Sequence, residues 1–180
     1  MGVGGGYCEY PGKKTTMPIL SSYAQKKKAR YFLDGIPKDF RILEVGCGNG
    51  WAGNYLKEGG WEHYVGLDLV PPADIVGDIR NWKNLGIEEE SFDVIIVFEV
   101  VEHVDCFDSC YGILKLGGQL MATSPMPHMD WLLKWLEAMR LNQKRTGPHD
   151  SLVYFKDVSL FKQKRFKTVG FLSQRGVFTK

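Results

Sequence analysis

The segment Ile42-Leu43-Glu44-Val45-Gly46-Cys47-Gly48-Asn49-Gly50 constrains this chain more than any other. A short apolar run ends, and glycine then occupies every second position. Glycine is required where the backbone takes a positive φ or where a ligand must approach the main chain closely. A helix-compatible stretch follows, from residue 49 to residue 57. A strand, a tight turn bare of side chains and a helix make the opening of a β-α-β unit. Such a turn sits at the carboxyl end of its strand, where open α/β sheets take their ligands.

The rest of the chain repeats that alternation. Residues 18–33 read as a helix with Pro18 near its start and Lys26, Lys27 and Lys28 on its wet side. Strands are expected at 41–45, 63–67, 75–76, 92–98 and 119–123. The 92–98 run is apolar and rich in β-branched residues, as a central strand buried on both faces should be. Residues 103–115 and 129–141 read as helices. Residues 167–172 and 176–179 read as a closing strand pair, joined too tightly for a crossover helix and therefore antiparallel. Strands alternating with helices predict an α/β fold, a Rossmann-like doubly wound sheet. Seven strands are expected, mostly parallel with an antiparallel final strand. Residues 1–17, rich in glycine, read as a flexible tail ahead of a single domain at 18–180.

A dinucleotide-binding turn has the pattern G-x-G-x-x-G. Here the pattern is Glu44-x-Gly46-x-Gly48-x-Gly50, with the acid two residues before the first glycine. That spacing resembles motif I of the class I S-adenosylmethionine (SAM) dependent methyltransferases. Asp68 closes the second strand 18 residues after Gly50, where a carboxylate can accept both ribose hydroxyls. A turn-capping Asp is the structural alternative, since Pro71 and Pro72 follow. Phe98-Glu99-Val100-Val101-Glu102-His103-Val104 resembles motif IV of the methyltransferase type 11, ubiquinone-biosynthesis-like small-molecule enzymes. The match runs from about residue 41 to residue 124.

The resemblance implies SAM as cofactor, with the backbone of Gly46, Cys47, Gly48 and Gly50 beneath its methionine part. It implies Asp68 and Leu69 at the ribose, Asp78 and Ile79 at the adenine, and Phe98 and Glu99 bordering the methionine moiety. Asp78 reads equally as the N-cap of the next helix. Glu44 is an acid at a buried strand end and needs a polar partner. It can hold the ligand's amino group or brace the glycine loop.

SAM brings an activated methyl group, so the protein positions the acceptor and removes its proton. His103 is the expected general base, oriented by Glu102 or Glu99. The alternative is that His103 starts the next helix and packs beside the pocket. Glu99, Glu102 and His103 also resemble part of the divalent-metal site of small-RNA 2′-O-methyltransferases and of some quinone O-methyltransferases. His149 and His128 would be the further ligands. Relatives with a similar stretch need no metal, and none is assigned. On the acceptor side, Tyr23, Met126, Met129, Trp131 and Trp135 read either as an aromatic lid or as core packing.

Charge divides unevenly along the chain. Residues 1–133 carry 12 basic and 18 acidic side chains, whereas residues 134–180 carry 11 basic and 3 acidic ones. A basic face suits phosphates or nucleic acid, or is merely solvated. The four cysteines, Cys8, Cys47, Cys106 and Cys110, show no metal spacing and read as reduced thiols. The longest apolar run is far too short to span a membrane, and no signal-peptide pattern is present. A cytoplasmic monomer or homodimer is expected. The expected activity is methylation of a small-molecule acceptor, at an oxygen. The alternatives are an RNA or nucleotide methyltransferase and a non-catalytic SAM-binding subunit.

Overall fold

The computed structural model describes residues 19–126, 154–169 and 173–180. Seven strands form one sheet: β1 (Ile42–Val45), β2 (Tyr64–Asp68), β3 (Ile75–Val76), β4 (Phe92–Phe98), β5 (Leu114–Pro125), β6 (Lys162–Val169) and β7 (Ser173–Thr179). Their order is β3-β2-β1-β4-β5-β7-β6. β1 through β5 are mutually parallel, while β7 runs antiparallel between β5 and β6. The expected doubly wound sheet with an antiparallel closing strand is therefore present. The strand order reverses beside β1, and the carboxyl ends of β1 and β4 open the crevice there.

Side-chain alternation along the central strands divides the core in two. Leu43, Val45, Ile95 and Val97 face one way, with Cys110 and Ile113 of α3 (Phe107–Ile113) and with Trp82. Ile42, Val94, Ile96 and Phe98 face the other way. They pack with Ala29 and Phe32 of α1 (Ile19–Phe32) and with Ala52 and Leu56 of α2 (Trp51–Glu58). Ala29, Phe32, Leu33 and Ile36 recur at helical spacing and are all buried, which docks α1 on the sheet.

The helix expected over 103–115 is shorter than its sequence pattern. His103 lies in a turn whose amide bonds to the carbonyl of Val100 at 2.8 Å. α3 starts only at Phe107, after Cys106 with φ −124°. It stops at Ile113 because Leu114 turns extended and pairs with Phe92. Sheet pairing thus overrides the helical periodicity. The closing strands are also longer than expected, since β6 begins at Lys162 and β7 at Ser173. The tail at 1–17 and the helix at 129–141 fall outside the described residues.

Among the described residues Cys47, Cys106 and Cys110 are buried and form no disulfide. A hydrogen bond that the Cys110 thiol donates to Cys106, together with burial, pushes its pKa well above the ordinary value, so it is a packing residue rather than a nucleophile. No helix among the described residues is long and apolar enough to cross a membrane.

Candidate functional site

The turn after β1 needs its glycines for two different reasons. Gly46, Gly48 and Gly50 have φ of 72°, 52° and 70°, the left-handed region. At Gly46 a Cβ would also stand 2.3 Å from Cγ2 of Val100, in the loop after β4. That position is closed to any side chain. At Gly48 a Cβ would meet nothing nearer than the Gly46 carbonyl oxygen at 3.9 Å. There the space above the backbone is open for a ligand. The turn is fastened to β2, because the amides of Gly46 and Cys47 both donate to the Leu67 carbonyl, at 2.7 and 3.1 Å.

Asp68 stands beside this turn. Its Oδ2 accepts the Gly48 amide at 2.9 Å, and its Oδ1 is 3.4 Å from the Val70 amide. The carboxylate is half-buried, and Leu69 beyond it is 70% exposed. An acid at the open end of β2 and a bare turn at the end of β1 make a cradle for a ligand with adjacent hydroxyls and a cationic or polar tail. That arrangement fits SAM. Asp78 caps the 3-10 turn at Ile79–Asn81, accepting the Arg80 amide at 2.9 Å, and pairs with the Arg80 guanidinium at 2.5 Å. Those hydrogen bonds hold its carboxyl below the usual range against the opposing effect of burial. The Ile79 side chain is in the core and is not presented to the surface.

Glu44 is 2% exposed and accepts the Tyr64 hydroxyl at 2.5 Å. Burial, reinforced by Asp68, pushes its pKa up to about 8, with the Tyr64 bond acting in the opposite direction. The folded protein therefore keeps a proton on Glu44 that the unfolded chain releases near pH 4.5. The stabilisation is full below about 4.5 and is lost as pH rises toward 8. Glu44→Gln should flatten that slope, with melting temperature raised more at pH 8 than at pH 5. Equal shifts at both pH values in a thermal melt would show Glu44 to be ionised in the fold.

At the end of β4 a second polar group gathers. Phe98 is buried, with the Trp51 ring stacked on it at 5.9 Å between centroids. Glu99 adopts φ 57°, an uncommon conformation for a non-glycine residue. Three contacts impose it. Its amide donates to the Thr123 carbonyl at 3.0 Å, and its Oε1 accepts Lys28 Nζ at 2.7 Å and the Thr123 hydroxyl at 2.8 Å. Burial alone would raise the Glu99 pKa, but Lys28, Thr123 and Arg175 outweigh it and hold the carboxyl below its usual range. Glu102 is the opposite case. It is 2% exposed, its Oε2 has no partner, and burial beside Glu99 pushes its pKa up to about 8. One neutral carboxyl and one carboxylate thus share the loop after β4 with the half-buried His103.

The sequence pattern placed the glycine turn, Asp68, Phe98 and Glu99 at strand ends and His103 at the start of a helix, and the fold puts them, with Glu102, at the carboxyl ends of β1, β2 and β4 or in the loops that follow. It missed Lys28, Trp51, Tyr64, Thr123 and Arg175. Lys28 was hidden within a run of three lysines, although it lies one residue before the buried Ala29 and four before Phe32. Arg175 carried a clearer signal, as a single charge inside a strand whose neighbours are all buried. Among the described residues no three His, Cys, Asp or Glu side chains come together to hold a metal. His128 and His149 fall outside the described residues, as do Met129, Trp131 and Trp135. Tyr23 is exposed and Met126 half-buried.

Comparison with known proteins agrees with this geometry. A family model described as a methyltransferase domain matches residues 43–122. The ubiquinone biosynthesis O-methyltransferase of Xylella fastidiosa (strain M23) is 29% identical over 125 residues, covering 59% of this chain and 48% of that one. A human protein named "Probable tRNA methyltransferase 9B" is 29% identical over 124 residues, covering 60% of this chain and 27% of that one. The crystal structure of a SAM dependent methyltransferase from Archaeoglobus fulgidus superposes with a TM-score of 0.61 at 16% identity, covering 88% of this chain and 94% of that one. This chain spans about half the length, or less, of these two curated relatives.

Proposed function

Because this chain belongs to the class I SAM-dependent methyltransferases, we propose that it methylates an oxygen of a small-molecule acceptor. The observation that carries the cofactor half is the glycine turn with Asp68 bonded to it at 2.9 Å. The oxygen rests on the likeness to a ubiquinone biosynthesis O-methyltransferase. When bound, SAM supplies a methyl group already activated on sulfur.

The chain's own residues then have separate tasks. Asp68 accepts the ribose hydroxyls, with Leu69 beside them. Asp78 and the backbone of Ile79 meet the adenine. The turn at Gly46, Cys47, Gly48 and Gly50 offers bare backbone to the methionine part, and Glu44 accepts its amino group. Phe98 and Glu99 border the same end. His103 takes the proton of the acceptor hydroxyl on a ring nitrogen. Glu102, whose Oε2 lacks a protein partner, orients that imidazole or the acceptor.

Calorimetric titration with SAM and S-adenosylhomocysteine, with NAD as control, tests the cofactor assignment. Micromolar binding of the first two and none of NAD is expected. Transfer of labelled methyl to hydroxylated aromatic acceptors tests the second half, and transfer to amines alone would overturn the oxygen assignment. With the acceptor saturating, His103→Ala should lower turnover by roughly 10²–10⁴-fold, the usual size of a general-base contribution. Unchanged turnover would remove His103 from the chemistry.

A further inference from the structure

One face of the molecule has far more positive charge than its own structure uses. α1, β6 and β7 together carry nine basic side chains and no acidic one: Lys26, Lys27, Lys28, Arg30, Lys162, Lys164, Arg165, Lys167 and Arg175. Among the described residues Lys28 makes an ion pair with Glu99, and Arg175 faces the same carboxylate. These elements are one surface. The Arg165 guanidinium donates to the Tyr31 carbonyl at 3.2 Å, and that of Arg175 donates to the Lys27 carbonyl at 3.3 Å. Both guanidiniums also lie over the Tyr31 ring, at 5.0 and 5.8 Å from its centroid. Arg175 is 8% exposed and its Nε has no partner.

The exposed lysines and arginines among them have no carboxylate partner among the described residues, and like charges on adjoining elements repel one another and cost the fold stability. A net charge of +2 for the whole chain does not require such crowding. An anionic partner relieves it. The pattern on β6 narrows the kind of partner. Seven consecutive side chains, Lys162 through Thr168, are exposed. At about 3.3 Å per residue, the cations form a line rather than a pocket, as a phosphate chain requires. An exposed ring stands beside them on α1, Tyr23 at 56% exposure with Lys27 Nζ over one side of it at 4.5 Å, while Phe166, 43% exposed, lies on the opposite face of β6 from Arg165 and Lys167. Cations along an extended track with an exposed ring beside them suit single-stranded nucleic acid, whose phosphates meet the cations and whose bases stack. The track also runs toward the rim of the site, where Lys28 holds Glu99.

We propose that the α1–β6–β7 face binds single-stranded RNA. This goes beyond the small-molecule reading above and does not depend on it. The probe is a fluorescein-labelled U15 oligonucleotide, followed by anisotropy with the full chain at 50 and 200 mM salt. Four phosphate contacts would weaken binding roughly 50-fold across that range, from a slope of about −0.7 per contact. The triple variant Lys162→Glu/Lys164→Glu/Lys167→Glu, all on the exposed edge strand, should lose at least about tenfold in affinity. SAM titration and a thermal melt on the same sample check its folding. Lys26→Glu/Lys27→Glu provides a second variant on a different element, with the same loss expected. U15 affinity unaffected by either variant would overturn the proposal. So would a polyglutamate peptide or phosphatidylserine vesicles that compete as well as unlabelled U15, because the face would then be a general anion surface. Failure of SAM binding with U15 binding intact would count only against the methyltransferase reading.

Discussion

Asp68→Ala should weaken SAM binding by roughly 100-fold in calorimetric titration, with little change in folding. The carboxylate stands at the open end of β2, and hydrogen bonds to a charged group contribute about 1.5–3 kcal/mol. Losing two ribose contacts then costs one to two powers of ten in affinity even when part of each bond is replaced by water. A second effect adds to the first. Asp68 accepts the Gly48 amide at 2.9 Å, so its removal also releases the turn proposed to lie under the cofactor. Asp68→Asn separates the two contributions. It keeps an acceptor for Gly48 but loses the charge, and an intermediate affinity is expected. An alanine variant that binds SAM as tightly as the parent would show that the ribose lies elsewhere, and the cofactor assignment of the whole rim would fall with it.

Gly46→Ala should be the most damaging single methyl in the protein. The residue sits at φ 72°, and the added Cβ would stand 2.3 Å from Val100 Cγ2. Strain at positive φ costs about 1–3 kcal/mol, and overpacking costs a similar amount. Together they should destabilise by roughly 2–5 kcal/mol, or about 5–15 °C of melting temperature for a domain of this size. SAM binding should be lost as well, because either the turn or the Val100 loop must move. Those two segments carry the backbone cradle and the Glu99–His103 stretch. Val100→Ala combined with Gly46→Ala relieves the clash but not the backbone strain. Partial recovery in the double variant would divide the cost between them. A Gly46→Ala protein that melts and binds like the parent would mean that the turn is freely deformable.

How far the sequence could be read depended on the range of the interactions. The turn at 46–50 and the buried strand at 92–98 were legible because each is a local pattern with one physical solution. His103 was misplaced on a helix because its periodicity continued into α3. Nothing local shows that the Val100 carbonyl captures the His103 amide, or that Leu114 leaves the helix to pair with Phe92. The polar network was the least legible part. Lys28, Glu99, Thr123 and Arg175 come from α1, the loop after β4, β5 and β7, and all but Arg175 look ordinary where they stand. Only packing shows that Lys28 is turned inward to hold a carboxylate in a strained conformation.

That same network sets the order in which the protein can be completed. Lys28 reaches Glu99 across 71 residues, Arg165 reaches Tyr31 across 134, and Arg175 reaches Lys27 across 148. Loop-closure entropy must be met before contacts this distant return any stability. On an emerging chain α1 is made before the sheet, and its buried face can dock on β1, β4 and α2 before β7 has paired beside β5. Glu99 is then held by Lys28 and Thr123 until the hairpin carrying Arg175 arrives. A chain interrupted before β7 would keep its glycine turn and the Lys28–Glu99–Thr123 contacts, but it would lack the arginine that faces Glu99 and ties β7 to α1.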